Sequence, residues 1–113
     1  LMMGNEIATA VQYNVNPIMI ISDNSMYGTI GMHSYVRYPD KPFMAGTKLT
    51  NPDFAAWARS FGAEGITIRD ETEVAENIEK AFNIEGKPVV VHCHTSALQM
   101  SAWRKYERSE TLI

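Results

Sequence analysis

The sequence predicts an α/β domain, a Rossmann-like parallel sheet with helices on both faces. Three observations carry that expectation. Segments of helical periodicity alternate with short apolar runs, the order expected of parallel strands joined by helical crossovers. Two of the runs, Ile18-Met19-Ile20-Ile21 and Val89-Val90-Val91, are continuous rather than alternating, which is the pattern of strands buried on both faces. The length of 113 residues, with 45% apolar and 20% charged residues, suits one domain around one core.

Each element follows from local chemistry. Residues 6–13 predict a helix, because Ile7, Ala10 and Val11 sit at helical spacing after the start signal Gly4-Asn5. Residues 14–16 break it, and Pro17 opens the first apolar strand, which ends at Ser22-Asp23-Asn24-Ser25. Residues 26–50 are expected to form a long irregular stretch, holding Gly28, Gly31, Pro39, Pro42 and Gly46. That stretch begins at a strand end, where open α/β sheets bind ligands. Asn51-Pro52 is expected to cap and open the next helix, which carries Phe54, Trp57, Ala58 and Phe61 on one face and stops at Gly62. Residues 65–68 predict a second strand. Asp70 with Glu73 predicts a capping box, and the helix behind it places Val74, Ile78, Ala81 and Phe82 together. Gly86-Lys87-Pro88 leads into a third strand over residues 89–94. The polar tail, residues 96–108, is expected to be helical, with Ala97, Met100 and Trp103 facing the body. The division is a domain over residues 1–95 and a tail over 96–113.

Bulk properties exclude some functions. Ten basic residues against thirteen acidic ones give a net charge of -3, without the basic excess that a phosphate-binding nucleic-acid surface needs. No apolar run approaches the ~20 residues that span a bilayer, and no basic-then-apolar leader is visible. One cysteine, Cys93, forbids an internal disulfide and suits a reducing, cytoplasmic setting. The apolar opening Leu1-Met2-Met3 feeds straight into a helical pattern and reads as a cut inside a longer chain.

Chemistry concentrates in residues 20–29, Ile-Ile-Ser-Asp-Asn-Ser-Met-Tyr-Gly-Thr. The strand end delivers a carboxylate, an amide and a hydroxyl, oxygen donors suited to Mg²⁺. A glycine then permits close backbone approach, and turn amides can cradle a diphosphate. Read from spacing alone, Asp23-Asn24-Ser25 is also ordinary turn chemistry.

A longer pattern goes further. Residues 5–11 (Asn-Glu-Ile-Ala-Thr-Ala-Val), then Pro17 and its strand, then residues 23–30 (Asp-Asn-Ser-Met-Tyr-Gly-Thr-Ile) resemble the second half of the thiamine diphosphate (ThDP) motif. Residues 46–55, Phe61-Gly62-Ala63 and residues 86–91 are similar to acetolactate synthases and benzoylformate decarboxylases, in the right order, up to about Thr95. The resemblance implies roles. Asn24 would ligate Mg²⁺ through its side chain and Met26 through its backbone carbonyl, while Tyr27 and Gly28 would line the cofactor diphosphate. It implies ThDP and Mg²⁺ as cofactors, a 2-keto acid substrate, and carboligation or decarboxylation (transferase or lyase chemistry). The remaining domains or subunits of a parent enzyme, as a homo-oligomer, would be the partners. No residue of this chain is expected to be catalytic, and the 113 residues alone are expected to be inactive.

Three features depart from the family pattern. The Gly-Asp-Gly that begins the motif is not in the sequence, which starts as if just after it. Asp23 stands where an asparagine is usual. Ile30 stands where pyruvate and indolepyruvate decarboxylases carry a glutamate, which favours carboligases or benzoylformate-type enzymes. The alternative is a non-catalytic remnant of the fold acting as an interaction module, which exposed apolar residues within 26–50 would favour. His92 and His94 share a strand face with Cys93 on the other. They read as edge or surface histidines, or as two ligands of a Zn²⁺ site with no third ligand at a recognised spacing, His33 being the residue that could approach. Glu73, Glu76 and Glu79 read as a solvated helix face.

Overall fold

The structure, a computed structural model, describes residues 4–38, 40–41, 44–101 and 104–105. Its elements are α1 (Glu6–Gln12), β1 (Ile18–Asp23), α2 (Gly28–Arg37), α3 (Phe54–Ser60) and β2 (Glu64–Ile68). A 3₁₀ turn (Glu71–Glu73), α4 (Val74–Asn83), β3 (Val89–His94), β4 (Gln99–Ser101) and β5 (Arg104–Lys105) follow. The main sheet has the order β1-β3-β2, and β2 runs parallel to β3 with Glu64 opposite Val89 and Ile68 opposite Cys93. Strands β4 and β5 form a separate antiparallel pair. This is the predicted α/β, Rossmann-like parallel sheet with helices on both faces. Among the described residues, no helix is long and apolar enough to cross a membrane. The chain divides into two compact units, residues 1–22 with 52–94, and residues 23–51 with 95–113.

In the first unit β3 is the central strand, and its side chains alternate between two cores. Val89 and Val91 join Ile66, Ile68 and Ala81 on the α4 side. Val90 joins Ile7, Ala58 and Ala63 on the side of α1 and α3. Each valine, at 1% exposure or less, contributes roughly 1.5–3 kcal/mol of burial. Small residues bring α3 close to the sheet. An ideal Cβ on Gly65 of β2 would lie 2.1 Å from the Ala55 carbonyl oxygen, so only glycine fits there. Between α1 and the sheet lies an apolar cavity of about 700 Å³, walled by Ile7, Ala10, Tyr13, Met19, Ile21 and Trp57.

The capping box at Asp70 and Glu73 is present as predicted. Glu73, Glu76 and Glu79 are exposed, as expected of a solvated face. Three expectations are corrected here. Strand β1 is not buried on both faces, because Ile20 is 58% exposed. Alternation puts Ile20 with Ile18 on the α4 side, and α4 packs on β2 and β3. On α4 itself, Ala81 and Ile78 reach the core while Phe82 is 70% exposed. A helix that seats its smallest apolar residue on the sheet lifts the neighbouring ring to the rim. The cap of α3 is Asp53, not Asn51: the Asp53 Oδ1 accepts from the Ala56 N–H at 3.0 Å. Asn51 is engaged elsewhere, donating its side-chain N–H to Asp23 at 2.8 Å.

His92 is also not a surface histidine. It is 2% exposed, and its Nδ1 accepts the Phe54 N–H at 3.3 Å, so β3 helps to cap α3. Accepting at Nδ1 puts the ring proton of a neutral His92 on Nε2. The His92 ring packs against Phe54 at 5.0 Å and against His94 at 4.2 Å, which places both histidines on one face as alternation predicted.

The second unit holds the largest departure from expectation. Residues 28–37, expected to be irregular, form the ten-residue helix α2. Local propensity argues against it, since Gly28, Gly31 and the β-branched Thr29, Ile30 and Val36 are all weak helix formers. Tertiary anchoring overrides propensity. The Tyr27 N–H donates to the Thr47 carbonyl at 2.7 Å, and the Tyr27 carbonyl accepts from the Gly31 N–H at 3.1 Å. The expected tail helix is absent at residues 99–101 and 104–105, where β4 and β5 pair. The Ser96 hydroxyl accepts the Leu98 N–H at 3.2 Å, a local bond that competes with helix formation. Trp103 lies outside the described residues.

Candidate functional site

The site starts where β1 ends. Asp23 is 6% exposed, and one of its carboxylate oxygens gathers the loop around it. That oxygen accepts from the Ser25 N–H at 2.7 Å, the Ser25 hydroxyl at 3.3 Å and the Asn51 side chain at 2.8 Å. The Asp23 carbonyl accepts from the Thr95 N–H at 2.8 Å. Asp23 therefore ties three chain segments of the second unit together, the turn at Ser25 and Asn51 through its carboxylate and Thr95 through its carbonyl.

Ser25 follows in the left-handed region, with φ 55°, uncommon for a non-glycine residue. The turn lets the Met26 N–H donate to the Asn24 Oδ1 at 3.2 Å, which orients the Asn24 carboxamide. Met26 faces Lys48 in an isolated antiparallel bridge. Its two bonds come from the flanking residues, Tyr27 N–H to Thr47 carbonyl and Leu49 N–H to Ser25 carbonyl. In such a pair the central residue's own N–H and carbonyl turn away from the partner strand. The Met26 carbonyl thus points to the side where Asn24 lies. Asn24 Oδ1 has a second lone pair beyond the one that takes the Met26 N–H. The Asn24 amide oxygen and a backbone carbonyl are oxygen donors of the kind Mg²⁺ prefers.

Helix α2 begins beside them. Tyr27, its N-cap, makes no side-chain bond to the first turn, and the N-terminal amides carry the positive end of the helix dipole. An ideal Cβ on Gly28 would lie 2.8 Å from the Asn24 side-chain nitrogen, so the glycine makes room for that carboxamide. A cavity of about 250 Å³ opens at this point, lined by Asn24, Met26, Gly28, Thr29, Met32 and Gln99. At ~30 Å³ per water it has room for roughly eight, enough for a diphosphate with its cation. The larger cavity of the first unit is walled mainly by apolar residues, and Asn24, Met26, Tyr27 and Gly28 are not among its described lining residues. The chemistry favours the smaller one.

Of the predicted site residues, Asn24, Met26 and Gly28 line one cavity. Tyr27 lies between them in sequence, but its ring is exposed and its N–H is engaged by Thr47. Ile30 is on the exposed side of α2. Sequence reasoning missed Thr29, Met32 and Gln99. Met32 repeats Gly28 at helical spacing, a signal visible only once a helix is assigned there. Gln99 gives no local signal at all.

A Rossmann-like α/β domain that sets a helix N-terminus at a strand end belongs to a class of folds that bind anionic ligands there. Within that class the chain belongs to the family described as thiamine pyrophosphate enzyme, C-terminal TPP binding domain, whose profile matches residues 1–93. Thiamine pyrophosphate and ThDP are the same compound. The chain is 33% identical over 90 residues to the putative thiamine pyrophosphate-containing protein YdaP of Bacillus subtilis, covering 80% of this chain and 15% of that protein. It is 31% identical over 87 residues to the acetolactate synthase large subunit of Haemophilus influenzae (76% and 15%). It is 28% identical over 81 residues to the mitochondrial acetolactate synthase catalytic subunit of Aspergillus candidus (72% and 11%). The chain spans less than a sixth of the length of these curated relatives.

Proposed function

We propose that this chain supplies the metal and diphosphate anchor of a ThDP-dependent enzyme that carboligates or decarboxylates a 2-keto acid. Asn24 Oδ1 and the Met26 carbonyl hold Mg²⁺, and the first turn of α2 at Gly28 receives the diphosphate. The observation that supports this reading is that Asn24, Met26 and Gly28 line one cavity. ThDP, when bound, supplies the reactive carbon for the 2-keto acid chemistry. The residues here bind and orient it. The metal offsets diphosphate charge, since none of the described lining residues carries a charge. The rest of the catalytic machinery comes from other domains or from subunits of a homo-oligomer, in the cytoplasm.

Calorimetric titration of ThDP into the chain, with and without Mg²⁺, tests the proposal. Binding that requires Mg²⁺ and is lost in Asn24→Ala is the expected result. Binding that ignores both the metal and the substitution would refute the assigned anchor.

One observation favours a second reading, an interaction surface. Tyr27, Ile30, Val36 and Tyr38, on and beside α2, are each at least half exposed. Apolar side chains gathered this way suit contact with another domain or subunit. Sedimentation of the chain with Ile30→Glu and Val36→Glu separates the readings: a self-association that these changes abolish supports the surface, and an unchanged monomer rejects it for self-association.

A further inference from the structure

The cavity at Asn24 has a wall that the motif does not supply. It is built by the segment that follows β3. The Thr95 N–H donates to the Asp23 carbonyl at 2.8 Å, which ties that segment to the base of the site. A tight turn comes next: the Gln99 N–H donates to the Ser96 carbonyl at 3.2 Å, and the Leu98 N–H donates to the Ser96 hydroxyl at 3.2 Å. The turn brings Ala97 and Gln99 to the wall of the cavity that Asn24, Gly28 and Thr29 also line.

The lining has a simple chemistry. Among the described residues its polar side chains are two carboxamides, Asn24 and Gln99, and the Thr29 hydroxyl, with Met26, Gly28, Met32 and Ala97 beside them. No carboxylate or cationic side chain is among the described lining residues. A neutral lining rich in N–H and O–H donors, beside a helix N-terminus, suits an oxygen-rich anion whose charge is offset by a metal. Asn24 is committed by its bond with Met26 to presenting oxygen. The Gln99 carboxamide has two N–H donors.

We infer that Gln99 is a diphosphate-binding residue, donating its side-chain N–H to the cofactor's anionic end and closing the cavity from the side away from the motif. The inference rests on the proposed function and extends it to a part of the chain beyond the matched residues 1–93. It also gives the turn at residues 96–99 a purpose, because that turn sets where Gln99 stands.

The test uses calorimetry in Mg²⁺ with three probes: ThDP, inorganic pyrophosphate and thiamine, which lacks the phosphates. Gln99→Ala removes the donor, and the near-isosteric Gln99→Glu keeps the shape while replacing the donor with charge. The expected result is a loss of roughly tenfold or more in affinity for ThDP and pyrophosphate in Gln99→Ala, as for a lost hydrogen bond to a charged group. Gln99→Glu loses more, thiamine binding is unchanged in both, and the circular-dichroism melt of Gln99→Glu stays with the unmodified chain. Pyrophosphate and ThDP affinities within twofold of the unmodified chain in both variants would overturn the role of Gln99 while leaving the Asn24 anchor standing. Failure of the unmodified chain to bind either phosphate probe would overturn the proposed function, and this inference with it.

Discussion

Replacing Gly28 with alanine separates binding from stability. The added Cβ would stand 2.8 Å from the Asn24 side-chain nitrogen, whereas ordinary contact begins at 3.4 Å. The carboxamide must give way by about 0.6 Å, and among the described residues nothing else crowds the new atom. That displacement pulls against the 3.2 Å bond from the Met26 N–H to Asn24 Oδ1. Losing the bond costs about 1 kcal/mol. Alanine returns part of this, since it is the better helix former by up to ~1 kcal/mol and Gly28 does not need a left-handed backbone. The net change in stability is near zero, and the melting temperature moves by only a few degrees. Metal anchoring is more sensitive, because it depends on where Asn24 Oδ1 points. Mg²⁺-dependent ThDP affinity is expected to fall roughly tenfold, a change of ~1.4 kcal/mol. If Gly28 acts through Asn24, Gly28→Ala adds nothing further to Asn24→Ala in a double-mutant cycle. Titration calorimetry and a thermal melt on the same samples measure both quantities. Additive losses, or a Gly28→Ala chain that binds within twofold of the unmodified one, would refute the reasoning.

Gly65→Ala should do the reverse, because its Cβ would meet Ala55 backbone atoms at 2.1 to 2.8 Å and α3 cannot yield without leaving the sheet. The cost is expected at the upper end of overpacking, about 3 kcal/mol, which lowers the melting temperature by roughly 10–20 °C; a shift under 3 °C would contradict the packing described. Acid should weaken the helix caps. The Ala56 N–H bonded to Asp53, and the Thr72 hydroxyl bonded to Asp70, hold both carboxyls below the ordinary range near 4. Their contribution is therefore complete above about pH 4 and is lost as pH falls through the lowered values. Urea midpoints should drop more steeply below pH 4 in the unmodified chain than in Asp53→Asn/Asp70→Asn, and parallel curves would reject this. Burial pushes the Cys93 thiol up. Thiol reagents should modify it more slowly than free cysteine at neutral pH and catch up in urea; equal rates without denaturant would contradict its burial.

Much was legible in the residues alone. Val89-Val90-Val91 reads as a central strand because a strand between two helical layers has no polar face to reveal. The helical spacing of Phe54, Trp57, Ala58 and Phe61 and the Asp70–Glu73 box are equally local, since caps and periodicities act within one or two turns. That Asn24, Met26 and Gly28 lie close together was legible for the same reason: they are nearly consecutive residues at a strand end, and they line one cavity. What local signals could not reach was decided by contacts between distant segments. Thr47 and Lys48 hold the start of α2 and so turn a glycine-bearing, propensity-poor stretch into a helix. Asn51, a plausible cap by composition, is drawn to Asp23, and Asp53 caps α3 in its place. His92, one of two similar histidines on a strand, becomes a buried cap because Phe54 presents an N–H to it. Gln99 reaches the cavity only because Thr95 is bonded to Asp23 and Ser96 turns the chain back. Hydrogen bonds between residues far apart in sequence leave no periodic trace in it, so their partners are known only when the backbone is folded.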